Sequence, residues 1–450
     1  MAQHGTTRRR FFFGALLAGA VPAGGFGSVG SLNQLGYKSP SEKLNIAAIG
    51  AGGKGASDIQ GCLPENIVAM ADPDEKRAAK TFALYPKAPK YKDFRKMFDK
   101  EGKNIDAVLV STPDHMHATA SMWAMARGKH VYCQKPLTRT VWEARELSLA
   151  AEKYQVATQK GNQGYSNEGA RQCSEIIWAG DIGDVTEVHA WTNRPLTYWP
   201  QGPEVAPEEA PVPETLDWDV WLGIAASRPY SPAYVPHNWR AFPDFGCGAI
   251  GDMACHILGT ANMALRLTAP TSVECVKQEG KGKYTFPLRS VIRFDFPARG
   301  PMPPVKIFWH DALEKQPEFE GVPKDELLGD KDINGSLFLG DKGMVTTGCY
   351  GQGTRLVPAE KMKEYKMPPP LLTRSPGHYR DWIRASKGGD PACSNFGVAG
   401  PFVQWMLLGV IAMKFEGRLD WDARNMRITN NSEANKYLKP TFRKGWEFAG

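Results

Sequence analysis

The sequence predicts a doubly wound parallel α/β domain of the Rossmann type, followed by an α+β domain with an open, mostly antiparallel sheet. From Leu44 to about Lys160, apolar runs of strand length alternate with helical patterns, which favours parallel strands and right-handed crossovers. After residue 160, strand patterns follow one another with few helices between them, which is typical of an antiparallel sheet. The length of 450 residues is too great for one average domain and fits two.

Residues 1–43 are predicted to lie outside the folded domains. The segment Thr7–Phe13 reads TRRRFFF, a twin-arginine pattern, and an apolar run to Val21 follows it. This arrangement predicts a signal for export by the twin-arginine pathway to the periplasm or beyond, and residues 24–43 then form a linker or arm. A disordered basic N-terminus beside a chance apolar segment is the alternative. The run is too short to span a bilayer stably, so no transmembrane span is predicted.

Composition and charge indicate an ordinary globular protein. Hydrophobic residues make up 42% of the chain, charged residues make up 23%, and the formal net charge is +7. Because basic and acidic residues are interspersed, the charge predicts a solvated surface and no nucleic-acid partner. The eight cysteines form no CxxC pair, so neither a zinc site nor a redox motif is predicted.

The stretch from Leu44 to Asp72 has the pattern of a dinucleotide-binding unit. A strand pattern leads into Gly50-x-Gly52-x-x-Gly55, a helical pattern follows, and a second strand pattern ends on Asp72. The first glycine permits a tight turn, the second lets the backbone approach a pyrophosphate, and the third allows the helix to pack closely on the strand. A carboxylate about 20 residues further on can accept hydrogen bonds from a ribose. A glycine-rich turn that binds nothing is the alternative, which the strand–turn–helix context disfavours.

Polar loops follow two later predicted strands, at residues 105–111 and 130–133. Ligands bind at the carboxyl ends of strands in an open α/β sheet, so both loops are predicted to contact the cofactor. The predicted cofactor-binding residues are Gly50, Gly52, Gly53, Gly55, Asp72, Ser111, Thr112, Pro113, His117, Gln134, Lys135, Pro136 and Gln163. Asp72 favours NAD because a 2′-phosphate would face its carboxylate, whereas Lys76 and Arg77 leave NADP open.

The segment GCGAIGDMACH, residues 246–256, combines an acid with a base. Asp252 and His256 are four positions apart, so a regular helix would place them on one face. Histidine is the natural proton acceptor near neutral pH, and a carboxylate nearby can orient it. An Asp–His pair that only stabilises the helix is one alternative. A metal pair is another, but it needs a third ligand at a suitable spacing, so no metal is predicted.

Four motifs together resemble the family of glucose–fructose oxidoreductase, inositol dehydrogenase and MocA (Gfo/Idh/MocA). They are Gly50-x-Gly52-x-x-Gly55, Thr112-Pro113-x-x-x-His117, Gln134-Lys135-Pro136 and Gly251-Asp252-x-x-x-His256. The resemblance extends from about Leu44 to the C-terminus. In that family the third motif is usually Glu-Lys-Pro, so Gln134 puts in question the ribose contact that the Glu would supply.

The resemblance implies a domain organisation and a catalytic group. Residues 44–160 would form the NAD(P)-binding Rossmann domain, and residues 161–450 the α+β domain for substrate binding and oligomerisation. Lys135 would be the catalytic lysine, His256 the general base and Asp252 its partner. Exported members of the family retain their cofactor, so a tightly bound nucleotide is implied. A homodimer or homotetramer is implied in the same way.

Aromatic, amide and cationic side chains in the second domain predict a saccharide site. Aromatic rings suit the apolar face of a sugar, and amides and cations suit its hydroxyl groups. The predicted substrate residues are Asn162, Trp191, Asn193, Arg194, Trp199, His237, Trp239 and Arg240. For the tryptophans, packing in the core or between subunits is the alternative.

The sequence therefore predicts an exported NAD(P)-dependent oxidoreductase. It would transfer hydride from a secondary hydroxyl of a sugar or glycoside to nicotinamide, with the cofactor supplying the redox chemistry. One alternative is an NAD-dependent glycosidase that works by transient oxidation and elimination. Another is a nucleotide-binding scaffold without turnover, against which Lys135 and His256 argue.

Overall fold

The computed structural model describes residues 42–448. Within this range, residues 43–448 form one compact unit. The predicted export signal and most of the predicted arm lie outside the described residues. Within residues 42–448, no helix is both long and apolar enough to cross a membrane.

The first sheet has six strands in the order β3-β2-β1-β4-β5-β6, all paired in parallel. The strands are β1 (Asn45–Ile49), β2 (Asn66–Ala71), β3 (Lys90–Tyr91), β4 (Ala107–Val110), β5 (His130–Cys133) and β6 (Thr158–Lys160). The helices that connect them are α1 (Lys54–Gly61), α2 (Glu75–Leu84), α3 (Phe94–Glu101), α4 (Asp114–Met125) and α5 (Val141–Lys153). Helices cover both faces, so the central strands are apolar along their length. The predicted doubly wound sheet is confirmed.

The second sheet has nine strands in the order β13-β12-β11-β7-β10-β9-β8-β14-β15. Its members are β7 (Val185–Trp191), β8 (Ser272–Glu279), β9 (Arg289–Phe296), β10 (Val305–His310), β11 (Gly335–Gly340), β12 (Met344–Thr347), β13 (Arg355–Val357), β14 (Leu419–Asp422) and β15 (Arg427–Ile428). The β7–β10 pair is parallel, and the other strand pairs are antiparallel. The predicted open, mostly antiparallel sheet is confirmed.

Five further α-helices follow the first sheet along the described chain. They are α6 (Glu168–Ala179), α7 (Trp218–Leu222), α8 (Cys255–Ala264), α9 (His378–Ser386) and α10 (Phe396–Ala412). Helix α10 packs on the first sheet's layer through α5, where the Ser148 hydroxyl donates to the carbonyl oxygen of Phe396 at 2.8 Å. It packs on the second sheet through Trp405, which meets the ring of Phe294 edge-on at 5.1 Å. One helix thus joins the two sheets into a continuous core.

The glycine turn gives a direct test of the packing between α1 and β1. A Cβ added at Gly55 would lie 2.0 Å from the carbonyl oxygen of Gly50, a backbone atom that cannot yield. We expect Gly55→Ala to lower the free energy of unfolding by about 1–3 kcal/mol or more. Gly102→Ala is the matched control, because its nearest neighbour would be the Phe98 ring at 3.8 Å. Equal midpoints in chemical denaturation would contradict the prediction.

Candidate active site

The loops after β1, β4 and β5 lie side by side at the carboxyl edge of the first sheet. The amide of Ser111 donates to the carbonyl oxygen of Ile49 at 2.8 Å, and the amide of Gln134 donates to that of Val110 at 2.8 Å. These bonds continue the strand ladder beyond the strand ends. The strand order reverses between β1 and β4, and this is the point at which a doubly wound sheet binds its ligand.

A cleft with a volume of about 270 Å³ opens at this edge. Nine of the predicted cofactor residues line it: Gly50, Gly52, Gly53, Asp72, Ser111, Thr112, Pro113, Gln134 and Lys135. The second domain contributes Val220, Trp221, Val235, Pro236, His237, Trp239 and Arg240. The cleft thus has one wall of glycine turn and polar loops and another wall of aromatic and cationic side chains.

Asp72 fixes the shape of the glycine turn. One oxygen of its carboxylate accepts hydrogen bonds from the amides of Ala51 at 2.8 Å and Gly52 at 3.0 Å. The other oxygen accepts from the amide of Asp74 at 3.0 Å. Burial raises the pKa of the Asp72 carboxyl, while the three amides act in the opposite direction. Each carboxylate oxygen can accept more than one hydrogen bond, so the group that shapes the turn can also accept from a ribose.

Two cations stand beside the glycine turn. Lys54 and Arg77 both line the cleft. The guanidinium of Arg77 lies close to Gly53: a Cβ added at this glycine would be only 2.6 Å from a guanidinium nitrogen. Helix α1 begins immediately after Gly53, so its first free amides add positive potential at the same place. The residues at this turn therefore fit a pyrophosphate.

A buried carboxylate that sequence reasoning missed ties the cofactor loops together. Asp58 is fully buried and accepts from the hydroxyl of Ser111 at 2.7 Å and from the side-chain amide of Gln134 at 3.0 Å and 3.1 Å. Lys54 reaches it at 2.5 Å and the hydroxyl of Tyr379 at 2.6 Å. Gln134 is thus the amide partner of Asp58. Its side-chain oxygen accepts from the amide of Lys135 and helps to position that lysine.

The carboxylate of Asp252 is also buried, and it contacts three cations. The ammonium of Lys135 donates to its carboxylate and, at 3.0 Å, to its carbonyl oxygen. Arg194 reaches the carboxylate at 3.0 Å and Arg240 at 3.1 Å. Burial raises the pKa of the Asp252 carboxyl, but the three cations outweigh burial and hold it well below its usual range. Asp252 is therefore ionised at any physiological pH.

His256 is 4% exposed and pairs with a buried amide. Its Nδ1 lies 3.3 Å from the side-chain oxygen of Asn162, and its ring meets that of Tyr350 edge-on at 4.7 Å. If Nδ1–H donates to Asn162, the lone pair of Nε2 is available to accept a proton. Burial, and then the charge of Lys135, lower the pKa of His256 well below its usual value. The imidazole is therefore neutral at neutral pH.

These contacts correct the expectation that Asp252 is the direct partner of His256. The helix that carries both residues begins with a π-helical turn at Ile250–Ala254 and continues as α8. No hydrogen bond among the described residues joins Asp252 to His256, although the charge of Asp252 acts to raise the pKa of that histidine. The carboxylate accepts from cations instead, and His256 bonds to Asn162. π-helical turns of this kind are frequent at functional sites.

Two family models match the chain in succession. The model of the oxidoreductase family with the NAD-binding Rossmann fold matches residues 44–161. The model of that family's C-terminal α/β domain matches residues 186–284. The chain belongs to the Gfo/Idh/MocA family of oxidoreductases. The first sheet and its connecting helices form the NAD-binding domain.

Named relatives of this Gfo/Idh/MocA protein include an inositol 2-dehydrogenase from Pseudomonas fluorescens, 30% identical over 158 residues, which are 34% of this chain and 46% of that protein. A glycosyl hydrolase family 109 protein from Solibacter usitatus is 29% identical over 208 residues, 42% of this chain and 47% of that protein. The chain spans about half the length of these curated relatives. The WlbA dehydrogenase of Bordetella pertussis, solved with NADH and UDP-GlcNAcA, has the same fold, with a TM-score of 0.59 at 16% identity over 85% of this chain and 99% of that one.

Several residues predicted to bind the substrate lie away from the cleft of this Gfo/Idh/MocA protein. Trp191 is fully buried in a core cluster with Leu337, so its large apolar surface serves packing. Trp199 belongs to a second buried cluster of aromatic side chains. Asn162 is fully buried against His256, and the side-chain oxygen of half-buried Asn193 is buried without a partner among the described residues.

Four residues predicted to bind the cofactor are also not in the cleft wall. Gly55 packs inside the glycine turn, and His117 is buried with Nε2 at 2.8 Å from the carbonyl oxygen of Thr112, so it braces the loop from behind. Pro136 is buried, and Gln163 begins a short 3₁₀ helix outside the set of residues that line the cleft. Gly55 and His117 thus shape the cofactor loops from behind their cleft surface.

The Asp58–Gln134 contact predicts that Gln134→Glu is destabilising. The substitution removes the two hydrogen bonds that the side-chain amide of Gln134 donates to Asp58. It also places two carboxylates about 3 Å apart in a buried site. We expect a loss of about 2–3 kcal/mol in the free energy of unfolding at neutral pH, together with weaker NAD binding in calorimetry. The double variant Asp58→Asn/Gln134→Glu restores one carboxylate and one amide and should recover most of both. Wild-type stability and affinity in the single variant would refute this role.

Asp114 is a cleft residue that sequence reasoning missed, and it predicts a pH effect. Burial raises the pKa of its carboxyl to about 7. An unfolded aspartate titrates at about 3.9, so between about pH 4 and pH 7 the folded state binds more protons and stability falls as pH rises. Asp114→Asn keeps an acceptor for the amide of Cys247, which donates to it at 3.2 Å. Denaturation should show the variant more stable than wild type by about 4 kcal/mol at about pH 8 and equal to it at about pH 4. A constant difference would contradict the assignment.

Proposed function

We propose that this protein is an NAD-dependent oxidoreductase acting on a secondary CH–OH group of a saccharide. The observation that carries the proposal is the contact of Lys135, at the edge of the NAD-binding sheet, with Asp252, four positions before His256. The charge of Lys135 also lowers the pKa of the neutral His256 imidazole, which supports an ammonium donor and a proton acceptor in one site beside the cofactor loops. A relative that is named inositol 2-dehydrogenase supports a polyhydroxylated substrate.

Each side chain of the catalytic group has one task. Bound NAD would supply the acceptor for the hydride that leaves the substrate carbon. His256 Nε2 accepts the proton of the hydroxyl as the C=O bond forms, and the contact with Asn162 holds the imidazole in the required tautomer. The Lys135 ammonium donates to the hydroxyl oxygen and stabilises the charge that develops there. Asp252 holds that ammonium in place and is a positioning residue.

Export and retention of the cofactor are further parts of the proposal. The twin-arginine pattern at Thr7–Phe13 supports transport of the folded protein to the periplasm or beyond. A protein exported in this way acquires its nucleotide in the cytoplasm and has to keep it bound. The Asp72 carboxylate at the glycine turn favours NAD over NADP. Assembly as a homodimer or homotetramer completes the proposal.

An NAD-dependent glycosidase is the second candidate. The observation that favours it is the similarity to a glycosyl hydrolase family 109 protein. In this reaction, transient oxidation of a hydroxyl acidifies the neighbouring C–H bond, and elimination expels the leaving group to give an unsaturated ketone. Water then adds to the double bond, and the ketone is reduced again by the same cofactor. Net cleavage of a methyl glycoside with no change in the amount of oxidised NAD would identify this reaction. Accumulation of reduced NAD and a ketone would identify the simple dehydrogenase.

Two histidine variants test which imidazole accepts the proton. His256→Asn should lower kcat/KM for saccharide oxidation by about 10²–10⁴ while NAD binding persists. His237→Asn is the matched control, because His237 lines the cleft but contacts neither Lys135 nor Asn162 among the described hydrogen bonds. It should lose less than about tenfold.

The assay follows reduced nicotinamide and ketone formation over a panel of methyl hexosides. A larger loss in His237→Asn than in His256→Asn would overturn the assignment. Firm NAD binding with no oxidation of any member of the panel would favour the scaffold without turnover.

A further inference from the structure

The side chains around Asp252 carry more positive than negative charge. Lys135, Arg194 and Arg240 all contact this one carboxylate, and their side chains are only 14%, 27% and 18% exposed. Within the described part of the chain, neither arginine has an ion pair with any other acid. Partly buried cations without counter-charges are costly, so an anion is expected to complete the group when the site is filled.

Both arginines hold donors free for such an anion. Arg194 uses one terminal nitrogen for Asp252, and its guanidinium lies over the ring of Tyr198 at 3.9 Å. Arg240 uses Nε for Asp252 and lies over the ring of Trp239 at 4.2 Å. No hydrogen bond among residues 42–448 uses the second terminal nitrogen of Arg194 or either terminal nitrogen of Arg240. Stacking on a ring fixes each guanidinium plane and leaves its edge available.

Other charged groups nearby do not restore neutrality. Burial, followed by the charge of Arg240, lowers the pKa of His237 to about 4, so this histidine adds no charge at neutral pH. Asp114, with a pKa raised to about 7 by burial, supplies at most part of one negative charge. The cofactor pyrophosphate is expected at the glycine turn, where Lys54 and Arg77 line the cleft.

We propose that the substrate is a saccharide that carries a carboxylate, such as a uronic acid or its glycoside, and that Arg194 and Arg240 hold this carboxylate. The proposal rests on the proposed function and narrows its substrate class. Arginine is the side chain whose planar fork matches a carboxylate, and two stacked guanidinium groups give that contact a fixed direction. The ring of Tyr198, which is 40% exposed, also offers a surface for the apolar face of the sugar.

Matched pairs of saccharides test the proposal with the full-length protein loaded with NADH. Calorimetry compares methyl β-D-glucuronide with methyl β-D-glucoside, and then the two α-anomers, which differ within each pair only by the carboxylate. The glucuronide should bind about tenfold to a hundredfold more tightly, because charge-assisted hydrogen bonds to arginine are added. Arg240→Met should remove most of this preference, whereas Arg240→Lys should keep part of it through charge alone.

The outcomes separate this inference from the function on which it rests. Equal or stronger binding of the neutral glucosides, or no binding of either glucuronide, would overturn the proposal that the substrate carries a carboxylate. Tighter binding of glucose 6-phosphate than of the glucuronides would also overturn it in favour of a phosphate. Oxidation of neutral glucosides with NAD would leave the proposed function standing in each case. Failure of the protein to bind NADH at all would remove the proposed function itself.

Discussion

The structure depends most on the carboxylate of Asp252 and the three cations that meet it. Lys135 comes from the loop after β5 in the first sheet's domain, whereas Arg194 and Arg240 come from the second domain. A buried carboxylate by itself would be protonated or would destabilise the fold, and these cations keep it charged. The same contacts hold the ammonium of Lys135 at the cofactor edge. One electrostatic group therefore positions the ammonium of Lys135 and joins the two domains at the cleft.

A second buried carboxylate organises the cofactor side in the same way. Asp58 accepts from side chains of α1, of the loops after β4 and β5, and of α9, so four parts of the chain converge on it. Its donors are a lysine, two hydroxyls and an amide, which satisfy the oxygens without surrounding them by cations. The amide of Gln134 is complementary to Asp58, and a glutamate in its place would not be. Asp58 in helix α1 is thus the physical reason why this chain has Gln134 where the family usually has the Glu of Glu-Lys-Pro.

The sequence predicted the fold well because the signals for it are local. Buried parallel strands appear as short apolar runs, and the glycine spacing with Asp72 specifies the turn within one βαβ unit. The convergence on Asp58 could not be predicted, since its partners Ser111, Gln134 and Tyr379 are 53, 76 and 321 positions away.

The substrate side was harder to predict from residue types. Residue type alone does not distinguish a tryptophan in a core from one in a cleft wall. Trp191 lies in a core cluster, whereas Trp239 lines the cleft. The partners of Asp252 and His256 could not be predicted either, because Lys135, Arg194 and Asn162 are far from them in the sequence. Where a side chain's role depends on distant partners, its type and position in the sequence were not enough.

The most direct test of the account is the identity of the nucleotide in the purified protein. Denaturing the protein and analysing the released small molecules by mass spectrometry and absorbance gives both the species and its amount. The account predicts NAD, oxidised or reduced, in about one copy per chain. NADP in its place would contradict the role of Asp72. The absence of any nucleotide, with no binding of NAD or NADP on titration, would contradict the central claim that the glycine turn and Lys135 form a hydride-transfer site.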